Sequence, residues 1–267
     1  MKLRYTLITL VLFTWCSPKS TAHATDYSAL HLRTGERHWS WLGGPQPTVV
    51  TLAGSVEDSL DGTYAVIADR LARDAGALSV SIDLPAHGTD GTGTLNEWAD
   101  RIRTGDDLIG EFIIQLRLYL AYLIEHHYTD PNRIALVGVS RGAFLALHAA
   151  AQGVGTQAVA VMPVVTLASL MEFADLQNDS YVERSHLSHA VWGLYRHPIY
   201  VVAGVTDPRV NTGETINFWR NMTVVGPSPN MTLLLAPSSV GHMLDEPQTR
   251  YAETATWIAN EWSKRKP

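Results

Sequence analysis

Cysteine is nearly absent from this chain: Cys16 is the only one in 267 residues. One thiol cannot close an intramolecular disulfide, so stability has to come from packing rather than covalent staples. Long apolar runs are missing as well. Residues 7–13 form a short stretch interrupted by Thr9, well below the length that spans a bilayer. Basic charge is sparse, with 20 Lys and Arg against 26 Asp and Glu and a net charge of -6. The only basic run is Lys264-Arg265-Lys266. A nucleic-acid partner is therefore not expected, because phosphate binding needs concentrated positive surface. The mild negative charge serves solubility. Internal repeats, low-complexity tracts and linkers that would split the chain are also lacking. Apolar content, in contrast, reaches 46% of the chain, enough for one sizeable core.

Residues 1–24 read as a signal peptide. Lys2 and Arg4 give a positive start, residues 7–13 a short apolar core, and Ala22-His23-Ala24 small residues where a signal peptidase reads. Two alternatives stay open: an uncleaved anchor, and lipid attachment at Cys16, against which Trp15 stands where a small residue is needed. Cleavage after Ala24 removes Lys2, Arg4 and Lys19 and no acid, which takes the net charge from -6 to -9. It also removes Cys16, so no thiol nucleophile remains. The expectation is a secreted or periplasmic domain of residues 25–267 with no stable membrane insertion.

Past residue 47 the chain alternates between short apolar runs and helical periodicity. Residues 48–52, 78–82, 133–137, 158–162, 199–203 and 231–235 read as buried strands. Residues 64–72, 108–124, 143–151, 213–220 and 249–262 read as helices. Leu108, Phe112, Leu116, Tyr119 and Leu123 recur at three- and four-residue steps, as one buried face requires. Residues 25–47, with Trp39, Trp41 and Gly43-Gly44-Pro45, read as an early hairpin or irregular edge. Continuously apolar strands alternating with helices define an α/β fold, a mostly parallel central sheet covered on both faces. One irregular insertion, about residues 163–198, combines a short helix at 167–176 with a polar stretch at 177–188. Its place, on the C-terminal side of the sheet, suits a small cap.

The most informative segment is Gly138-Val139-Ser140-Arg141-Gly142, which matches G-x-S-x-G. An apolar strand runs directly into it and a small-residue helix runs directly out. A sharp strand-to-helix turn in that setting lifts the serine hydroxyl clear of the sheet, and glycines on either side let backbone pass close. The N–H of Arg141, at the start of the helix, points at a developing oxyanion. The plainer alternative is a turn serine that caps a helix.

On this junction, and on the order of elements over roughly residues 48–262, the chain resembles the α/β-hydrolase superfamily. It is most similar to small esterases, dienelactone-hydrolase-like proteins and prolyl-oligopeptidase-like catalytic domains. The resemblance implies Ser140 as nucleophile, Asp207 as the acid on the loop after a later strand, and His242 as the base on the loop after the last. The spacing agrees. Asp207 follows its strand through Gly204-Val205-Thr206, and His242 follows its strand through a Pro/Ser/Gly loop. The order Ser, Asp, His is that of this fold, and all three sit past C-terminal ends of strands.

His87, in Asp83-Leu84-Pro85-Ala86-His87-Gly88, is the rival base; in relatives that loop is usually structural and lines the pocket. Asp175 and Asp179 are rival acids. The second oxyanion donor falls on Gly54 or Ser55, in Ala53-Gly54-Ser55 where relatives often carry His-Gly. His186, His189 and His197 gather near the cap without a tight ligand pattern. Leu170, Phe173 and Trp192, with Leu167 and Met171, form either an apolar acyl wall or a cover for the core. The implied chemistry is acyl transfer to water, with no metal and no organic cofactor. A small-molecule ester ranks first as substrate and a short peptide or amide second; a non-catalytic binding module is the third reading.

Overall fold

The computed structural model describes residues 34–37, 44–88, 91–226 and 230–265. The segment read as a signal peptide, with Cys16, and Trp39 and Trp41 lie outside these residues. The described strands form one seven-stranded sheet: β1 (Thr34–Arg37), β2 (Gln46–Leu52), β3 (Leu78–Ile82), β4 (Thr129–Val139), β5 (Gln157–Val161), β6 (Ile199–Gly204) and β7 (Met231–Ala236). Their spatial order is β1-β3-β2-β4-β5-β6-β7. β1 pairs antiparallel with β3 at one edge, and every other pairing is parallel. The chain therefore has the α/β architecture expected, a mostly parallel sheet flanked by helices.

Side chains alternate across a strand, so a strand buried on both sides feeds two cores. β4 sends Ile134 and Leu136 into one core and Ala135, Val137 and Val139 into the other. Over the first face lie α3 (Leu95–Arg103), α4 (Leu108–Glu125) and α5 (Arg141–Ala151), which bury Trp98, Phe112, Leu116 and Phe144. Over the second lie α2 (Val66–Ala75) and α9 (Pro247–Ser263), which bury Ile67, Leu71, Tyr251, Ile258 and Trp262.

Several local features depart from the periodicity. β4 begins at Thr129, ahead of residue 133, because Pro131 is accommodated by a register irregularity. Thr129 faces Gln46 but Ile134 faces Thr48, so the extra residues bulge out of the ladder. α1 (Val56–Leu60) and α3 escape the periodicity reading, yet both are capped. Ser55 accepts the N–H of Asp58, and Thr94 accepts that of Glu97 at 3.2 Å. The insertion also differs. Residues 167–176 form two 3-10 turns, Leu167–Ser169 and Met171–Phe173, in place of one helix. The polar stretch carries α6 (Ser180–Arg184), started by Asp179, whose Oδ1 accepts from Tyr181 and Val182. α7 (Val191–Leu194) and α8 (Thr212–Val225) follow on either side of β6.

Candidate active site

Ser140 sits between β4, the central strand of the sheet, and α5. Its backbone adopts φ 56° and ψ -118°, a conformation that non-glycine residues avoid, so the turn stores strain at this one position. The strain is held from both sides. Its N–H donates to Val161 O at 2.9 Å, and its carbonyl accepts from Ala143, Phe144 and Val164. The two glycines of the motif are required by space. A Cβ on Gly138 would lie 2.3 Å from Gly142 O, and one on Gly142 would lie 1.9 Å from Leu52 O. α5 can thus enter only by running its first turn against the end of β2.

Asp207 follows β6 and is buried, its side chain 1% exposed. Its two oxygens have separate partners. Oδ1 accepts the N–H groups of Arg209, at 2.9 Å, and Val210, while Oδ2 lies 2.6 Å from Nδ1 of His242. The carboxylate accepts, so Nδ1 of His242 carries the proton and donates. In the neutral ring Nε2 is then the lone-pair nitrogen. That atom is buried and has no hydrogen-bond partner among the described residues.

The loops of the pair are tied to each other. Thr206 donates its N–H to Ser238 Oγ at 3.1 Å and its hydroxyl to Ser238 O. Asp245 Oδ1 accepts from Ser239 N and Oγ, which folds the His242 loop back on itself and holds the Asp245 carboxyl below its usual pKa. Ser238, Thr206 and Asp245 are supporting residues that sequence reasoning missed. Only the Pro/Ser/Gly composition of the loop hinted at them.

His242 opens on a cavity of about 500 Å³ lined also by Asp58, Tyr64, Met162 and Tyr251. Met162, which lines it, directly follows Val161, whose carbonyl accepts from Ser140 N–H. Burial pushes the Tyr251 hydroxyl up to about 12, keeping it neutral.

The rival residues are engaged elsewhere. His87 is buried, with Nδ1 2.9 Å from Pro85 O, and its ring lies beside Gly54 and Gly93. Burial, offset in part by the Pro85 hydrogen bond, holds its pKa below the usual value. Both oxygens of Asp175 accept from Arg103, and Asp179 starts α6. Around the predicted oxyanion loop, Ala53 N–H donates to Ser59 Oγ, Ser55 N–H to Asp58 Oδ2 and Val56 N–H to Asp83 Oδ1. Gly54 O accepts from Leu84 N. Leu167, Leu170 and Phe173 are buried in the larger core, whereas Met171 and Trp192 are exposed.

A strained serine after the central strand of a parallel sheet, with a linked acid and histidine after later strands, defines an α/β-hydrolase-fold protein. Residues 70–264 match the prolyl oligopeptidase family, and the chain belongs to that family. No curated protein sequence matches it. Among solved structures it is similar to TT1662 from Thermus thermophilus, at 15% identity and a TM-score of 0.69, with both chains covered in full. It is similar to Porphyromonas gingivalis dipeptidyl peptidase 4, at 15% identity and a TM-score of 0.65, over 88% of this chain and 34% of that one. Est1E from Butyrivibrio proteoclasticus, solved with ferulic acid, matches at 15% identity and a TM-score of 0.61, over 88% of this chain and 96% of that one. The chain spans between 31% and 40% of the length of the peptidase structures it matches. Among the described residues, no helix is long and apolar enough to cross a membrane.

Proposed function

We propose that the protein is a serine hydrolase in which Ser140 attacks an acyl carbonyl, His242 moves the proton and Asp207 orients the imidazole. One observation carries this reading: Nδ1 of His242 is spent on Asp207, and its buried Nε2 has no partner among the described residues. A buried lone pair with nothing to accept is costly unless a reaction uses it. Ser140 is half-buried, and its N–H is held by Val161, the residue before Met162 of the cavity wall. The Ser140–His242 link would close as substrate enters, since such bonds are often long before binding.

The steps follow from the residues. Ser140 Oγ adds to the carbonyl while Nε2 takes its proton. The oxyanion settles against Arg141 N–H at the head of α5 and against Gly54 N–H. Gly54 is favoured over Ser55 because Ser55 N–H is already held by Asp58. The imidazolium returns its proton to the leaving group, and water then releases the acyl group by the same route.

A short peptide or amide is the first substrate class, on the family match. An ester is the second, favoured by similarity to Est1E, a protein of comparable length. The sequence alone ranks these in the opposite order. Matched p-nitroanilides and p-nitrophenyl esters of one acyl group test the choice. Turnover of the anilides with kcat/KM within about a hundredfold of the esters supports peptide cleavage; esters alone turning over would establish the second reading. A folded protein that cleaves neither would contradict the hydrolase proposal.

A further inference from the structure

Around Arg141, the residue after Ser140, lies a group of charged side chains that acyl transfer does not use. Arg141, the first residue of α5, is half-buried, and its Nη1 donates to Gly93 O at 2.6 Å. Gly93 packs against His87: a Cβ there would lie 3.1 Å from His87 Cδ2, and the same carbon lies 3.4 Å from a Cβ placed on Gly54. The guanidinium therefore reaches the loop that flanks the proposed oxyanion peptide. Arg209, two residues past Asp207, donates from Nη2 to Glu172 Oε1, and its side chain is 34% exposed.

Among the described residues each of these guanidinium groups makes one side-chain hydrogen bond, out of five N–H donors each. Burial, and then the charge of Arg209, hold the pKa of Arg141 below its usual value, with Glu172 and Asp58 acting the other way. Glu172 is one carboxylate facing two cations, and its Oε2 has no partner among the described residues. Asp58 is occupied, since its Oδ2 accepts both the N–H and the hydroxyl of Ser55. A strap from α5 to the Gly93 loop needs neither a second arginine nor a permanent charge; a neutral amide donor would serve. Glu172 balances only one of the two positive charges, and the unspent donors leave place for a second anion.

We propose that Arg141 and Arg209 hold a carboxylate carried by the substrate close to its scissile acyl group, so that the enzyme selects anionic acyl compounds. The inference rests on the serine-hydrolase reading above. A planar guanidinium matches a carboxylate with two parallel hydrogen bonds, which a neutral acyl chain cannot accept. The contact is made equally in ground and transition state, so it acts on KM.

The test compares p-nitrophenyl hemisuccinate with p-nitrophenyl butyrate, a neutral acyl chain of similar length. Native protein is expected to favour the hemisuccinate by about tenfold or more in kcat/KM, mainly through KM, as hydrogen bonds to a charged group imply. In Arg141→Gln, which keeps the backbone N–H, the ratio should fall to within about twofold of unity. Equal rates on both esters in native protein, or an unchanged ratio in Arg141→Gln, would overturn the proposal. If Arg141→Gln does not fold, Glu172→Gln decides: removing the competing carboxylate should raise the ratio, and a fall would overturn it. Calorimetry of monomethyl succinate against dimethyl succinate on Ser140→Ala separates the two readings. Selective binding of the monoester, with no turnover of either p-nitrophenyl ester by native protein, would sink the hydrolase reading and keep the anion site; turnover of the butyrate by native protein without selective binding would do the reverse.

Discussion

Asp207 shows how much one side chain is asked to do. Oδ1 is fixed by two backbone N–H groups, which leaves Oδ2 to set the tautomer of His242. Replacing Asp207 with Asn keeps the shape but presents an amide donor or a weaker acceptor to Nδ1, so that on the proposed mechanism Nε2 no longer offers its lone pair to Ser140. Turnover should fall by about four orders of magnitude with the fold intact, read as kcat beside an unchanged circular dichroism spectrum. A loss below about tenfold would mean that the pair is structural. The places of Ser140, Asp207 and His242 beyond the ends of β4, β6 and β7 were legible in the sequence, because each follows an apolar run that reads as a strand. Chain order favoured His242 over His87 as base, but the contact between the His242 ring and Asp207 was not legible, since it depends on Ser238 and Thr206 joining two loops distant in the chain. Leu170 and Phe173 stood equally as acyl wall or core, and burial places them in the core.

At the scale of elements, the elbow is a packing problem solved by two missing Cβ atoms. Gly142 lies where α5 crosses the end of β2, and the atom in the way of a Cβ is backbone, Leu52 O, which has no side-chain freedom to yield. Gly142→Ala should therefore lose about 3 kcal/mol of stability or more, measured as a shift in urea midpoint. A change below about 0.5 kcal/mol would show that α5 can swing away from the sheet. Most strands and long helices were legible because burial on one or two faces imposes a period of its own. α1 and α3 were not, since they are short and their signals are caps rather than stripes: Ser55 with Asp58, and Thr94 with Glu97. The insertion misled for the opposite reason. Its apolar residues at 167–176 look helical, but they are buried from a chain that turns twice to cover the core.

For the whole molecule, the strand order gathers chemistry at one rim. β4, β6 and β7 run parallel with only β5 among them, so the loops after their C-terminal ends open on the same side. Sequence order gave the alternation of strands and helices but not this neighbourhood, because a parallel sheet is built from contacts remote in the chain. The family match and the similar structures support the same architecture at low identity, and leave the reacting group to be established by chemistry. A fluorophosphonate probe supplies that chemistry, since it bonds only to a serine whose proton a base has taken. Mass spectrometry of the labelled protein should place one adduct on the peptide containing Ser140, and Ser140→Ala should carry none. A folded protein that stays unlabelled, or one labelled equally in Ser140→Ala, would contradict a nucleophile at Ser140.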